Sequence, residues 1–327
     1  MTTVAESLAE VPEPEPEALP KPTLYVYTER YGFRCGNAGD EASAPILRYL
    51  TGRRVEIVAE PESANIIAIG SVLDRLPERG TRARWPGTDV GNRIAVWGSA
   101  LIDEDHRATA SEDVLVTAVR GPLTLRRMSG VSRVAFGDPG IFADEVWPET
   151  RESEKRYRLG FVPHYVDMEN EALCQIAVRD HGQAITVIDP CAPVRDVVRA
   201  ISECEAIISS SLHGLVFAES LGIPNAWVRL SGKVAGGSFK FRDWSAAIGK
   251  GWDAVPIELT GAESVERLVE MVLQPWIRGD VEPMKAGLRA ALVRSIAWID
   301  GGLDESAPAA FLRGVLDGRV AGDLPSP

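Results

Sequence analysis

The stretch from Ala206 to Pro224, AIISSSLHGLVFAESLGIP, constrains the fold more than any other in the chain. Its first residues, Ala206 to Ile208, predict a short strand. Three serines follow, Ser209, Ser210 and Ser211. Leu212, Leu215, Val216 and Leu221 then recur at helical spacing, and Gly222 and Pro224 end the helix. A strand running through small residues into a helix is the repeating unit of an open parallel α/β sheet, whose ligands sit at the carboxyl ends of the strands. The helix start carries unpaired N–H groups and a partial positive charge, so it attracts anions. The serines add hydroxyls and closely approachable amides, and His213 places an imidazole in the first turn. Serines before a helix also serve simply as N-caps, and a first-turn histidine can be purely structural. From spacing alone, both readings stand.

The same pattern recurs on either side. Strands are predicted at Leu24–Tyr27, Val55–Val58, Asn65–Ile69, Arg93–Trp97 and Val114–Val119, with helices at Ala42–Leu50 and Leu123–Met128. The run 149–158 is almost wholly polar and reads as a linker. A second series follows: strands Leu159–Val162, Ala184–Ile188, Asn225–Leu230 and Val255–Leu259, and helices Asn170–Arg179 and Val194–Cys204. From Ser264 onward the chain reads as helical, with further helices at Pro283–Ile299 and Ala309–Leu316 that are expected to pack across both domains. The expected organisation is a Pro/Glu-rich disordered tail over 1–22, an N-terminal Rossmann-like domain over 23–150, a linker over 151–158, a C-terminal Rossmann-like domain over 159–260, and C-terminal helices with a tail over 261–327. The fold class is α/β with parallel sheets.

Composition removes several function classes. The formal net charge of −12 argues against general nucleic-acid binding. No apolar run approaches the roughly 20 residues that cross a bilayer, and the N-terminus lacks a signal-peptide core, so the expected location is the cytoplasm. The cysteines Cys35, Cys174, Cys191 and Cys204 form no CxxC pair; they read as reduced and mostly buried, and with the four histidines dispersed no metal site is expected. No Walker loop and no GxGxxG fingerprint follows a strand.

Chemistry-bearing residues gather at predicted strand ends. Asn37 and Asp40 close the polar loop after the first strand, where they either cap the next helix or face a ligand. Arg120 ends the strand Val114–Val119, directly before Gly121 and Pro122, a helix start; it suits bidentate anion binding or an interdomain salt bridge. His164 sits at a matching strand end in the second half. The segment Ser231–Trp244 is glycine-rich and basic, with Lys240 and Arg242, and reads as a mobile cationic flap or a long surface connection. Five arginines (Arg75, Arg79, Arg82, Arg84, Arg93) surround Trp85 in what reads as a solvated loop.

The segments Gly36-Asn37-Ala38-Gly39-Asp40-Glu41, Val96-Trp97-Gly98-Ser99, Val119-Arg120-Gly121-Pro122-Leu123-Thr124, Gly137-Asp138-Pro139, Val162-Pro163-His164-Tyr165-Val166-Asp167, Ser209-Ser210-Ser211-Leu212-His213-Gly214 and Gly236-Gly237-Ser238-Phe239-Lys240-Phe241 with Asp243-Trp244 together resemble the polysaccharide pyruvyltransferase family. The likeness spans residues 24–250 and is strongest to the branch that decorates bacterial exopolysaccharides. It implies two Rossmann-like domains facing a cleft, similar to the GT-B glycosyltransferases. It also implies transfer of pyruvate from phosphoenolpyruvate onto two hydroxyls of a saccharide, giving a cyclic ketal, with no cofactor beyond that donor substrate. Many family members carry an arginine two residues before the motif histidine; here the position is Ser211. The donor's phosphate and carboxylate then fall to Arg120, Lys240 and Arg242, with the hydroxyls of Ser209, Ser210 and Ser211.

In such a reaction the methylene carbon of phosphoenolpyruvate takes a proton, and histidine is the natural acid near neutral pH. His213 is the first candidate and His164 the second. The helix dipole at His213 disfavours an imidazolium, so a nearby anion is needed to restore it. Asn37 and Asp40 are placed as acceptor contacts. A lipid-linked acceptor would bring the enzyme to the inner membrane face without a membrane segment. Two alternatives share the architecture: a GT-B-like glycosyltransferase using a nucleotide sugar, and a non-catalytic sugar-binding relative.

Overall fold

The structure, a computed structural model, describes residues 23–28, 37–76 and 93–302. The tail 1–22, Cys35, the arginine loop around Trp85 and the helix expected at Ala309–Leu316 lie outside these residues. In chain order the strands are β1 (Leu24–Tyr27), β2 (Val55–Val58), β3 (Ile66–Ile67), β4 (Ile94–Ser99), β5 (Ala108–Thr109), β6 (Val114–Val119), β7 (Met128–Ser129), β8 (Ala135–Phe136), β9 (Tyr157–Val162), β10 (Ile185–Val187), β11 (Cys204–Ser209), β12 (Asn225–Arg229) and β13 (Ile257–Glu258). The helices are α1 (Ala38–Glu41), α2 (Ser43–Thr51), α3 (Pro122–Leu125), α4 (Ala143–Val146), α5 (Glu171–Asp180), α6 (Val194–Ser202), α7 (Leu212–Ser220), α8 (Phe239–Ala247), α9 (Val265–Leu273) and α10 (Val281–Ile299).

Two parallel sheets result. The first has the order β2-β1-β3-β4-β6-β8 and the second β10-β9-β11-β12-β13. β5 and β7 form a separate short pair. The central strands β4 (IAVWGS) and β6 (VLVTAV) are buried at every residue. Continuous apolar runs of this kind belong to parallel sheets covered on both faces. Helix α2 buries Ser43, Ala44, Ile46 and Leu47 and closes on Gly52, whose left-handed φ of 61° lets its N–H reach the Arg48 carbonyl.

Helix α7 is buried on all nine residues. It packs on β11 and β12 of its own sheet and on the turn Pro139–Phe142 of the other half. One apolar core therefore runs from Leu24 and Trp97 of the first sheet through Val216 and Phe217 to Val198 and Ile201 of the second half.

The C-terminal helices pack across both sheets: α9 covers the second, and α10 crosses back onto β4, β6 and β8 of the first. The Trp97 Nε1–H donates to the Leu288 carbonyl at 2.8 Å, and Thr117 and Ser295 hydroxyls meet at 2.7 Å, so the last helix completes the cover of the first sheet. Three expectations need correction. The helix expected over Leu123–Met128 ends at Leu125, because Met128 and Ser129 pair with β5. The basic segment Ser231–Trp244 is not a free flap. Its second half enters α8, where Phe239, Lys240, Phe241, Asp243 and Trp244 are buried and Phe241 stacks on Trp227 at 4.4 Å. Of the described cysteines only Cys204 is buried; Cys191 is half-buried and Cys174 exposed.

Candidate functional site

The carboxyl ends of β9 and β11 lie side by side, with Ser209 registered on Val162. The three serines after β11 have separate duties. The Ser209 hydroxyl lies 2.7 Å from the Val162 carbonyl and 2.6 Å from the Ser211 carbonyl and accepts the Ser211 N–H at 3.0 Å. It is committed to holding the turn. A Cβ on Gly214 would fall 2.4 Å from this hydroxyl, so α7 starts against the sheet only because residue 214 has no side chain. The Ser210 hydroxyl accepts the His164 N–H at 2.8 Å and donates to Asp167 Oδ2 at 2.8 Å. The other Asp167 oxygen accepts the Ser231 hydroxyl. Ser211 occupies the N-cap of α7 without a side-chain cap bond.

His213, in the first turn of α7, is 7% exposed and faces the other half of the chain. Its Nε2 lies 3.5 Å from Asp138 Oδ2 and has no hydrogen bond among the described residues. Asp138 is itself 1% exposed, and its Oδ1 accepts the Gly140 N–H at 2.9 Å. The opposite nitrogen meets Gly39 so closely that a Cβ there would fall 1.8 Å from Nδ1. Asn37 caps α1 by accepting the Gly39 N–H at 3.0 Å, and the Ala38 N–H donates across to the Pro190 carbonyl at 2.9 Å. Asp40, also buried, directs its carboxylate at Gly70.

Two buried cations stand at the same junction. Arg120 is 1% exposed. Its guanidinium donates to the Ser71 hydroxyl at 2.8 Å and places Nε 3.4 Å from Asp243 Oδ2, with that Nε left without a hydrogen bond. Burial lowers its proton affinity, and the charges of Asp243 and Asp138 oppose that loss. Asp243 also accepts the N–H groups of Leu123 and Thr124, capping α3. Arg120 thus pairs across the two halves and also keeps an unsatisfied donor.

Lys240 comes from α8 and is 8% exposed. Among the described residues its ammonium makes no hydrogen bond or ion pair; its nearest aromatic partner is the Phe241 ring at 5.5 Å. Burial, reinforced by the charge of Arg120, pushes its pKa down to about 8 despite Asp40 and Asp167. His164 is shifted further. Burial, with Lys240 and His213 adding like charge, takes it down to about 3. It is therefore neutral at physiological pH, and its Nδ1 accepts the Val166 N–H at 3.4 Å, which leaves Nε2 as the protonated nitrogen.

The structure thus gathers His213, His164, Lys240, Arg120, Asn37, Asp40 and Ser209–Ser211 around the junction. Arg242 is turned elsewhere: its Nε–H donates to the Trp252 carbonyl at 2.9 Å on an exposed face. Two site residues were not singled out from sequence. In the sequence Asp138 stands within a Gly-Asp-Pro turn, and Asp167 at the end of the Pro-His-Tyr run. The available signal was position, since each follows a strand end by a few residues. Among the described residues no group of three His, Cys, Asp or Glu side chains is arranged to hold a metal ion. No described helix is long and apolar enough to cross a membrane.

Two parallel sheets flanked by helices, with an imidazole and two buried cations at their strand ends, define an α/β protein of the open parallel-sheet class. The chain belongs to the polysaccharide pyruvyl transferase family, whose profile matches residues 37–232. That span contains every site residue above except Lys240 and Asp243. The succinoglycan biosynthesis protein ExoV of Rhizobium meliloti is 27% identical over 286 residues, covering 80% of this chain and 84% of that protein. The uncharacterized protein L143 of Acanthamoeba polyphaga mimivirus is 34% identical over 162 residues, 47% of this chain and about half (54%) of that protein's length. A functionally uncharacterized Klebsiella pneumoniae protein of solved structure aligns over 73% of this chain and 93% of its own, with 12% identity and a TM-score of 0.37.

Proposed function

We propose that this chain transfers pyruvate from phosphoenolpyruvate onto two hydroxyls of a saccharide, forming a cyclic ketal, with His213 as the general acid and base. The observation that carries the reading is Lys240. A lysine ammonium that is 8% exposed and has no ion pair among the described residues is costly unless an anion completes its site. Arg120, with an unsatisfied Nε, adds a second cation within its field. Together they suit a small donor with a phosphate and a carboxylate. The likeness to a succinoglycan biosynthesis protein supports an exopolysaccharide or its precursor as the acceptor, and a lipid-linked precursor would draw a cytoplasmic enzyme to the inner membrane face.

His213 gives a proton to the methylene carbon, and C2 becomes oxocarbenium-like. One sugar hydroxyl adds to C2 and returns its proton to His213. The C2–O bond to phosphate breaks, the second hydroxyl adds to C2, and its proton leaves with the phosphate. His164, neutral and with Nδ1 engaged, serves this scheme as an Nε2–H donor to the anion rather than as the acid. Asn37 and Asp40 line the acceptor side in the same scheme.

Thermal shift tests this directly. Phosphoenolpyruvate should raise the Tm of the wild type and lose most of that effect with Lys240→Met. A shift with a uridine or guanosine diphosphate sugar, and none with phosphoenolpyruvate, would overturn the reading in favour of a glycosyltransferase.

A further inference from the structure

His213 presents a problem that its own helix does not solve. The start of α7 carries partial positive charge, so a carboxylate is favourably placed there. The His213 Nε2 is buried with no hydrogen bond, an unusual state for a polar atom in a folded protein. Asp138 Oδ2, at 3.5 Å, comes from the other half of the chain.

We propose that Asp138 is the positioning residue for His213: its carboxylate holds the imidazole proton on Nε2 and so makes Nδ1 the nitrogen that exchanges protons with the substrate. The proposal rests on His213 acting as the acid and base.

Three features fix the pair. First, Asp138 is not free to turn. Its Oδ1 accepts the Gly140 N–H at the N-cap of the turn Pro139–Phe142, which aims Oδ2 at the ring. Second, this turn is registered on α7 itself. A Cβ on Gly140 would fall 2.9 Å from Val216 and 3.2 Å from Phe217, the residues three and four positions after His213 on the same helix face. Closing the two halves therefore sets Asp138 against Nε2 through packing. Third, the far side of the ring is approached by backbone and not by a side chain. Only a glycine fits at residue 39, so Nδ1 meets backbone at the start of α1, beside Asn37 and Asp40. The separation of 3.5 Å is longer than a formed hydrogen bond, and contacts of this kind shorten when substrate closes a cleft. The carboxylate supplies the anion that the helix start requires, before any substrate arrives.

The test is ring-nitrogen NMR of the full chain labelled with 15N-histidine, at a pH where the ring is neutral, with His213→Gln used for assignment. The wild type should show His213 protonated on Nε2. Asp138→Asn keeps an oxygen to cap Gly140 but removes the charge, and should shift the ring toward the Nδ1-protonated tautomer. In turnover, the same variant should lower kcat by tenfold or more and leave KM for phosphoenolpyruvate within about twofold, since only the proton transfer is impaired. A wild-type ring protonated on Nδ1 would overturn the proposal without any variant, as would an Asp138→Asn protein with unchanged tautomer and kcat. If His213→Ala retained full turnover, the reaction assignment would fall, while the tautomer measurement would still judge the pairing.

Discussion

Gly39→Ala isolates the interdomain contact at His213. In an ordinary helix this change stabilises by about 1 kcal/mol, because alanine is the better helix former. Here the added Cβ would sit 1.8 Å from Nδ1, 2.1 Å from Cγ and 2.5 Å from Cε1 of His213. Ordinary contact begins at 3.4 Å, so the ring or α1 must retreat by about 1.6 Å (3.4 − 1.8). The ring has little room, with Asp138 3.5 Å from Nε2 and the Phe217 ring centroid 6.0 Å away. Overpacking of this kind costs about 1–3 kcal/mol, or a Tm loss of roughly 1–5 °C at this chain size. A displacement of about 1 Å at a reacting group costs on the order of 10²-fold in rate. The expected result is a kcat for acceptor-dependent phosphate release reduced about 10²-fold with a modest fall in Tm. A Gly39→Ala protein that is as stable as the wild type, or more so, with undiminished turnover would refute the contact and the placement of His213.

Three other outcomes follow from the buried charges. Lys240 has a folded-state pKa of about 8, below its usual 10.5; between those values the unfolded chain binds the extra proton, so folding stability rises with pH there. Lys240→Met should be most stabilising relative to wild type below pH 8, with the Tm advantage shrinking above it, and wild-type affinity for phosphoenolpyruvate should fall by up to about tenfold per unit above the same point. His164, held down to about 3, contributes in the same direction over a lower pH window: stability is intact above pH 6.5 and is lost as pH falls toward 3, because the unfolded imidazole takes a proton the folded one refuses. Thermal melts of His164→Asn should lose that part of the acid slope. Asp243→Ala removes both cap bonds of α3 and the counter-charge of Arg120, and denaturant titration should show a loss of about 3–5 kcal/mol.

Much of the architecture was legible because parallel βαβ units announce themselves locally. The bounds expected for β1, β2 and β6 match the observed ones, and those for α6, α7 and β11 fall within a residue or two at most ends. What was not legible is what depends on tertiary packing. Nothing local in Val281–Ile299 says that it covers β4 and β6 of the first sheet; the Trp97 and Thr117 bonds decide that. The glycines of residues 232–237 suggested a flap, yet the aromatic residues Phe239, Phe241 and Trp244 order the helix that follows. At the site, the sequence placed His213, Arg120 and Lys240 near strand or helix ends. It did not show that Arg120 lies beside Asp243, that Arg242 faces Trp252, or that Gly39 and Asp138 sandwich the imidazole from the opposite half. Those facts are set by the closure of two sheets around α7, a long-range event that no single motif encodes.

The most direct measurement is phosphate release from phosphoenolpyruvate, with and without a panel of glycosides and lipid-linked saccharides, in wild type and in a folded His213→Ala protein. The account predicts acceptor-dependent release with one phosphate per ketal formed, lost in the variant. Release that continues undiminished in His213→Ala, or a saccharide acceptor that is modified without consumption of phosphoenolpyruvate, would contradict it.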